Sequence, residues 1–198
     1  MPAAPPVPRL MLILPPGFAA EAADALLRAG DVAAVIAQGA DGADDALRLG
    51  ALAARVQAAG AALLCDGRAD LAARHDLDGA HFSGLADLRA ALPALKPARI
   101  AGAGGLATRH DAMEAGEAGA DYVLFGDLPG AFAHTLDAIE WWAELFEVPC
   151  VGIATSADEA GALAAAGADF VALTGPGLDA AAVAAAQARV AAARRVRP

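Results

Sequence analysis

The sequence predicts an α/β fold: a single-domain (β/α)8 TIM barrel spanning residues 9–198. Three observations carry this. Short apolar runs of strand length alternate strictly with helical stretches across short connections, which calls for a parallel sheet. The units number eight, the count at which such a sheet closes. One phrase is also written twice: residues 118–127 read Ala-Gly-Ala-Asp-Tyr-Val-Leu-Phe-Gly-Asp, and residues 166–175 read Ala-Gly-Ala-Asp-Phe-Val-Ala-Leu-Thr-Gly. In each copy a helix ends on glycine, which accepts positive φ, and an apolar run suited to a strand covered on both faces follows. Ala29-Gly30-Asp31 and Ala59-Gly60-Ala61 are weaker echoes. An open doubly wound sheet has the same alternation and is the alternative.

The proline-rich residues 1–8 predict a disordered or extended tail. Strand 1 is 10–14, closed by Pro15-Pro16-Gly17, and helix 1 is 18–29. Strand 2 is 32–37, followed by a Gly/Asp turn at 39–44, and helix 2 runs to 59. Strand 3 is 61–65, ending at Asp66-Gly67-Arg68, and helix 3 is 69–75. Strand 4 is 79–82, ending at Ser83-Gly84, and helix 4 is 85–92, stopped by Pro93. Strand 5 is 99–101, and Gly102-Ala103-Gly104-Gly105 reads as a loop, either a backbone anion nest or a plain turn. Thr108 and Asp111 form a capping-box pattern for helix 5, which runs to 118. Strand 6 is 122–125, helix 6 reaches 147, and strand 7 is 150–153. Ser156 and Glu159 repeat the capping pattern, strand 8 is 170–173, and the last helix ends in Arg194, Arg195 and Arg197, cations placed where the helix dipole favours them.

Composition excludes several classes. The chain is 58 % hydrophobic, but the excess is alanine, and no apolar run is long enough to span a bilayer. A net charge of −10 and a pI near 4.7 argue against nucleic acid as a partner. They leave room for a small phosphate held by backbone N–H groups. Cys65 and Cys150 have no metal-ligand spacing and read as reduced thiols; with no targeting segment, a cytoplasmic location is expected.

The order of landmarks then points to a family. Asp66 closes strand 3, Asp78-Gly79-Ala80-His81 lies on strand 4, and Gly119-Ala120-Asp121-Tyr122-Val123 leads into strand 6 with Gly126 after it. Val148-Pro149-Cys150-Val151-Gly152-Ile153 forms strand 7, and Ala166-Gly167-Ala168-Asp169 enters strand 8. This set resembles thiamine phosphate synthase and its relative thiazole tautomerase over nearly the whole chain. The resemblance implies a barrel that joins a pyrimidine diphosphate to a thiazole phosphate, releasing pyrophosphate with Mg²⁺. It also implies a Mg²⁺ or diphosphate contact for Asp66, a thiazole phosphate on the last two loops, and Mg²⁺ as cofactor if that reaction survives.

Several family motifs are replaced. Asn-Asp at the end of strand 3 becomes Asp66-Gly67, and the second metal-binding Asp falls on Ala86. The Ser-Thr-His after strand 5 gives way to Gly105-Leu106-Ala107, and the Thr-x-Thr-Lys after strand 6 is absent from Pro129-Gly130-Ala131-Phe132. A departing pyrophosphate needs cations, and these losses remove them. The sequence therefore describes a divergent member and argues against ordinary transferase activity.

Candidate residues follow, each with its plainer role. Thr155, Ser156, Thr174, Gly175 and Gly177 are placed to bind a phosphate at helix N-termini, or to serve only as caps and turns. Asp66 is a catalytic and metal candidate, or with Arg68 a cap for helix 3. His81 is a catalytic acid–base candidate, or a packed histidine. His75 and His110 read as surface residues, His134 is weakly placed for chemistry, and Cys65 reads as an inert buried thiol. Adjacent Trp141 and Trp142 on helix 6 cannot point the same way, so they suggest a homodimer face or partial cover by neighbouring helices. Three functions stay open: a synthase-like barrel binding a small phosphorylated metabolite, a non-catalytic sensor of such a metabolite, and a metal-independent isomerase or tautomerase using His81.

Overall fold

The computed structural model describes residues 7–39 and 43–193, with the backbone alone for 43–46. Residues 1–6 of the expected tail, part of the 39–44 turn and the C-terminal arginines lie outside the described residues. Pro8, assigned to that tail, is buried.

Eight parallel strands close in sequence order, with β1 (Arg9–Leu14) pairing both β2 (Val32–Ala37) and β8 (Phe170–Leu173). Between them run β3 (Ala62–Asp66), β4 (Gly79–Ser83), β5 (Ile100–Gly104), β6 (Tyr122–Phe125) and β7 (Cys150–Ala154). The helices are α1 (Ala23–Arg28), α2 (Ala43–Ala58), α3 (Ala69–Arg74), α4 (Leu85–Leu95), α5 (Arg109–Ala118), α6 (Phe132–Leu145), α7 (Ala157–Ala166) and α8 (Ala180–Ala192). Closure removes the open-sheet alternative.

Strand periodicity divides the apolar residues into two cores. Met11, Ile13, Ile36, Leu64, Leu124 and Val151 point inward and fill the barrel. Alternating neighbours such as Leu12, Val35, Leu63 and Val123 join Leu52, Leu88, Ile139 and Leu163 in the layer between sheet and helices. No helix among the described residues is long and apolar enough to cross a membrane.

The repeated phrase closes the end of the barrel where the strands begin. Gly119 and Gly167 are left-handed C-caps at φ 107° and 106°. The aspartate that follows accepts a backbone N–H from the preceding strand: Asp121 from Ala101 at 2.7 Å and Asp169 from Cys150 at 3.0 Å. Asp78, before β4, does the same for Leu63 at 2.8 Å, and Asp31, before β2, takes the Arg9 guanidinium at 2.9 Å. An aspartate thus precedes every even-numbered strand, locking it to its odd-numbered neighbour.

Several boundaries differ from the sequence reading. Helix 1 is a 3₁₀ turn at Ala20–Ala22 followed by α1. α4 continues through Pro93 to Leu95, and α6 stops at Leu145. Strand 5 begins at Ile100, and Gly102 and Gly104 belong to it, pairing with His81 and Ser83. The reason is spatial. A β-carbon on Gly102 would lie 2.0 Å from Tyr122 Cζ, and one on Gly104 would lie 2.5 Å from Asp127 Oδ2. The glycines make room for neighbouring side chains within a strand.

Candidate active site

Toward the mouth, three side chains from neighbouring strands gather around a glycine. Asp66, His81, Gly102 and Tyr122 are successive register partners across β3, β4, β5 and β6. Because Gly102 has no side chain, the Tyr122 ring crosses β5 and stacks near-parallel on His81, with centroids 5.7 Å apart and planes at 8°. Its hydroxyl meets His81 Nδ1 at 2.9 Å. Two residues nearer the mouth, a β-carbon on Gly104 would be 2.5 Å from Asp127 Oδ2 and 2.8 Å from His81 Nε2. Asp127 and His81 therefore flank the same point above β5. The Gly105 N–H anchors the Asp127 carboxylate there.

Burial governs the electrostatics. His81 is 5 % exposed, and desolvation pulls its imidazole down to about 4, so it is neutral at pH 7. Desolvation raises the Asp66 carboxyl, and the charge of Asp127 adds to the rise. The Asp127 carboxyl is also raised by desolvation, against the pull of backbone N–H groups including that of Gly105. Burial, then the charges of Asp66 and Asp121, hold the Tyr122 phenol far above its usual range. Desolvation pushes the Cys65 thiol to about 11, an unreactive group.

The other half of the mouth is a cavity of about 540 Å³ between the loops after β5, β6 and β7. Leu106, Phe125, Phe132 and Ile153 give it apolar walls; Thr135, Thr155, Glu159 and Arg109 supply polar groups. Arg109 lies 4.7 Å over the Trp141 ring. At the N-terminus of α7, Ser156 Oγ caps by accepting the Glu159 N–H at 3.2 Å. Glu159 Oε2 in turn accepts from the Thr155 N–H at 2.7 Å and the Thr155 hydroxyl at 2.8 Å. On the adjacent loop Gly175 sits at φ 116°, open space lies over Gly175 and Gly177, and Asp179 caps α8 by accepting the Ala182 N–H.

The candidates thus separate into groups. Asp66 and His81 come together, joined by Tyr122 and Asp127, which the sequence reading does not single out as site candidates. Thr155 and Ser156 lie at one loop, Thr174, Gly175 and Gly177 at the next; of these five, Thr155 alone lines the cavity. The helix-capping role for Asp66 and Arg68 does not hold. Asp66 ends β3, α3 has no side-chain cap, and Arg68 turns to Asp70 at 2.8 Å. His110 and His134 are exposed, His75 is half-buried, and Trp142 is buried with its indole N–H on Val148 O at 2.7 Å.

One signal for Tyr122 was present in the sequence: it is the sole tyrosine, and Phe170 occupies its place in the other copy of the phrase. The hydroxyl is what β6 adds.

The sequence model of the family described as thiamine monophosphate synthase matches residues 10–175. The chain belongs to that family. A thiamine-phosphate synthase of Rhodospirillum centenum is 39 % identical over 187 residues, covering 84 % of this chain and 87 % of that protein. One from Hyphomonas neptunium is 36 % identical over 189 residues, covering 85 % of each. Among solved structures, a thiamine phosphate pyrophosphorylase from Pyrococcus furiosus superposes with a TM-score of 0.80 at 22 % identity, covering 93 % of this chain and 96 % of that one. The barrel is thus the family's barrel.

The Mg²⁺ that the family implies can be tested against the side chains present. Among the described residues no group of three or more His, Cys, Asp or Glu side chains is arranged to hold a metal ion. Asp66 has Asp127 as a neighbour, but Asp127 Oδ2 is engaged by the Gly105 N–H, and the family's second carboxylate position is Ala86. These residues do not fit the family's metal site.

Proposed function

We propose that this family barrel binds a small phosphorylated ligand at its mouth, with the phosphate at the loops after β7 and β8 and the ligand body in the 540 Å³ cavity. That volume is in the range of small-molecule sites, about 300–1,000 Å³. The observation that carries the reading is at Thr155: its N–H and hydroxyl converge on a single carboxylate, that of Glu159. These donors are set for an anion, and Glu159 is an internal stand-in for one. Gly175 and Gly177 on the adjoining loop leave space for the phosphate.

Pyrophosphate-releasing transfer is not the reaction in this reading. The charge of Asp127 adds to the rise of the Asp66 carboxyl, no lysine or arginine among the described residues offsets that rise, and the loop after β6 lacks the family's lysine. The named activity of the relatives supplies the direct test. The protein is incubated with the pyrimidine diphosphate, the thiazole phosphate and Mg²⁺, alongside Asp66→Ala. No thiamine phosphate is expected; product that vanishes in Asp66→Ala overturns the reading.

A second reading is favoured by the His81–Tyr122 bond: a metal-independent isomerase of the bound phosphate, working in the cytoplasm. Its turnover survives chelation and is lost in His81→Gln. Ligand binding without turnover would instead identify a metabolite sensor. A homodimer through α6 remains part of the proposal, with half-buried Trp141 beside Leu145, which is 62 % exposed; sedimentation equilibrium tests it.

A further inference from the structure

The cavity holds a cation that no carboxylate claims. Arg109 is the first residue of α5, and it lines the cavity on the β5 side. Among the described residues its guanidinium makes no hydrogen bond or ion pair; it lies over the Trp141 ring, 4.7 Å from the centroid. Arginines elsewhere behave differently: Arg9, Arg55, Arg89 and Arg189 each reach an aspartate or glutamate. In a chain of net charge −10 carboxylates are not scarce, and Asp137 and Glu159 line this same cavity without pairing to Arg109. The position is also unfavourable in itself. A cation in the first turn of a helix lies at the positive end of the dipole, and a bound anion would offset both charges at once. The indole restrains the guanidinium by cation–π attraction and takes none of its N–H bonds, so the planar fork of donors stays available to an oxyanion.

Arg109 and Thr155 belong to different walls. Thr155 lies where β7 passes into α7, Arg109 lies where β5 passes into α5, and the loop after β6 runs between them. Neighbouring strands are about 4.8 Å apart, so the two walls rise from strands about 10 Å apart. Leu106, Phe125, Phe132 and Ile153 give the cavity its apolar surface. We infer that Arg109 is the specificity-determining residue of this cavity and that its ligand is anionic at both ends, with the phosphate at the loops after β7 and β8, an apolar body across the cavity, and a second oxyanion on the Arg109 guanidinium. This rests on the phosphate reading above and adds to it the chemical class of the ligand's far end. A carboxylate and a second phosphate share the chemistry that a guanidinium fork recognises. A ligand with a neutral far end leaves Arg109 solvated and gains nothing from it, so the cavity selects by the second charge.

The test is titration calorimetry of the full chain with ω-phosphonoalkanoates of increasing length, each paired with the alkylphosphonate of the same length. α,ω-Bisphosphonates of those lengths form a second arm, and a gain from either charged end supports the inference. In the wild type the charged far end is expected to tighten binding on the order of tenfold at the best length. Arg109→Gln should erase that gain, and Arg109→Lys should restore part of it. Comparing probes of equal length cancels any effect of the Arg109 charge on the phosphate end. A wild type that binds the paired probes equally, or a gain that persists in Arg109→Gln, overturns the inference and leaves the phosphate site standing. Alkylphosphonates that do not bind at all retire the phosphate reading itself, and this inference with it. Arg109 is exposed, so neither variant puts the fold at risk.

Discussion

Tyr122 lies across the α-carbon of Gly102, so close that a β-carbon there would be 2.2 Å from the phenol oxygen. The Tyr122 hydroxyl reaches His81 only because β5 is bare at this position. Gly102→Ala should expel the ring from a filled barrel core. Overpacking of this kind costs about 1–3 kcal/mol. Urea unfolding should give that loss together with a lost His81–Tyr122 ring contact in NMR; a variant as stable as the wild type would contradict the packing.

Asp121 belongs to the opposite end of the barrel. Asp121→Ala removes the acceptor for the Ala101 N–H and the partner of Lys96. Leaving a buried donor unmatched costs about 1–3 kcal/mol. The expected result is a lower unfolding midpoint with unchanged affinity for phosphorylated ligands in calorimetry.

Glu159 holds both Thr155 donors, so in the proposed phosphate site it would compete with the ligand for them. Glu159→Ala should therefore tighten binding of inorganic phosphate on the order of tenfold, equivalent to ~1.4 kcal/mol. Titration calorimetry reads this directly, and weaker binding in the variant would remove Thr155 from the phosphate site.

Acid should weaken the fold through His81. Its native value of about 4 lies below the ordinary 6.5, so between those values the unfolded chain binds more protons. Stability from this group is complete above pH 6.5 and is lost as the pH falls toward 4. The upper bound is about 3 kcal/mol. Asp66 and Asp127 act in the opposite sense: their raised carboxyls hold protons in the native state, and that contribution is lost as the pH rises out of the acid range. His81→Gln should flatten the stability profile between pH 6.5 and 4, as measured by denaturant titrations across that interval.

Cys65 should resist alkylation in the folded protein, since its buried thiol is raised to about 11. Mass spectrometry after iodoacetamide should find Cys65 modified only once denaturant is added.

Much of the barrel was legible because strand runs and glycine caps are local signals. Val123 and Val171 announce strands through their own neighbours, and Gly119 and Gly167 mark the helix ends before them. Gly102 and Gly104 were misread for the same reason. Glycine density signals a loop when only the chain is in view, whereas their cause is a ring from β6 and a carboxylate beyond it. Pro93 reads as a stop in the sequence, but it lies close enough to the end of α4 for the helix to finish at Leu95. Asp66 and His81 could be named as candidates from their strand ends. Asp127 could not, since its role depends on the Gly105 N–H that turns it inward, a contact between loops 22 residues apart.

The aspartates before the even-numbered strands have a consequence for how such a chain can change. Asp31, Asp78, Asp121 and Asp169 tie strand pairs together at the rim where the strands begin, and none of them faces the mouth. Substitutions at positions such as Ala86 or Asp127 leave those ties untouched. Mutational drift can therefore rewrite the chemistry of one rim while the other keeps the architecture heritable, and an ancestral reaction can be lost without the barrel being lost with it.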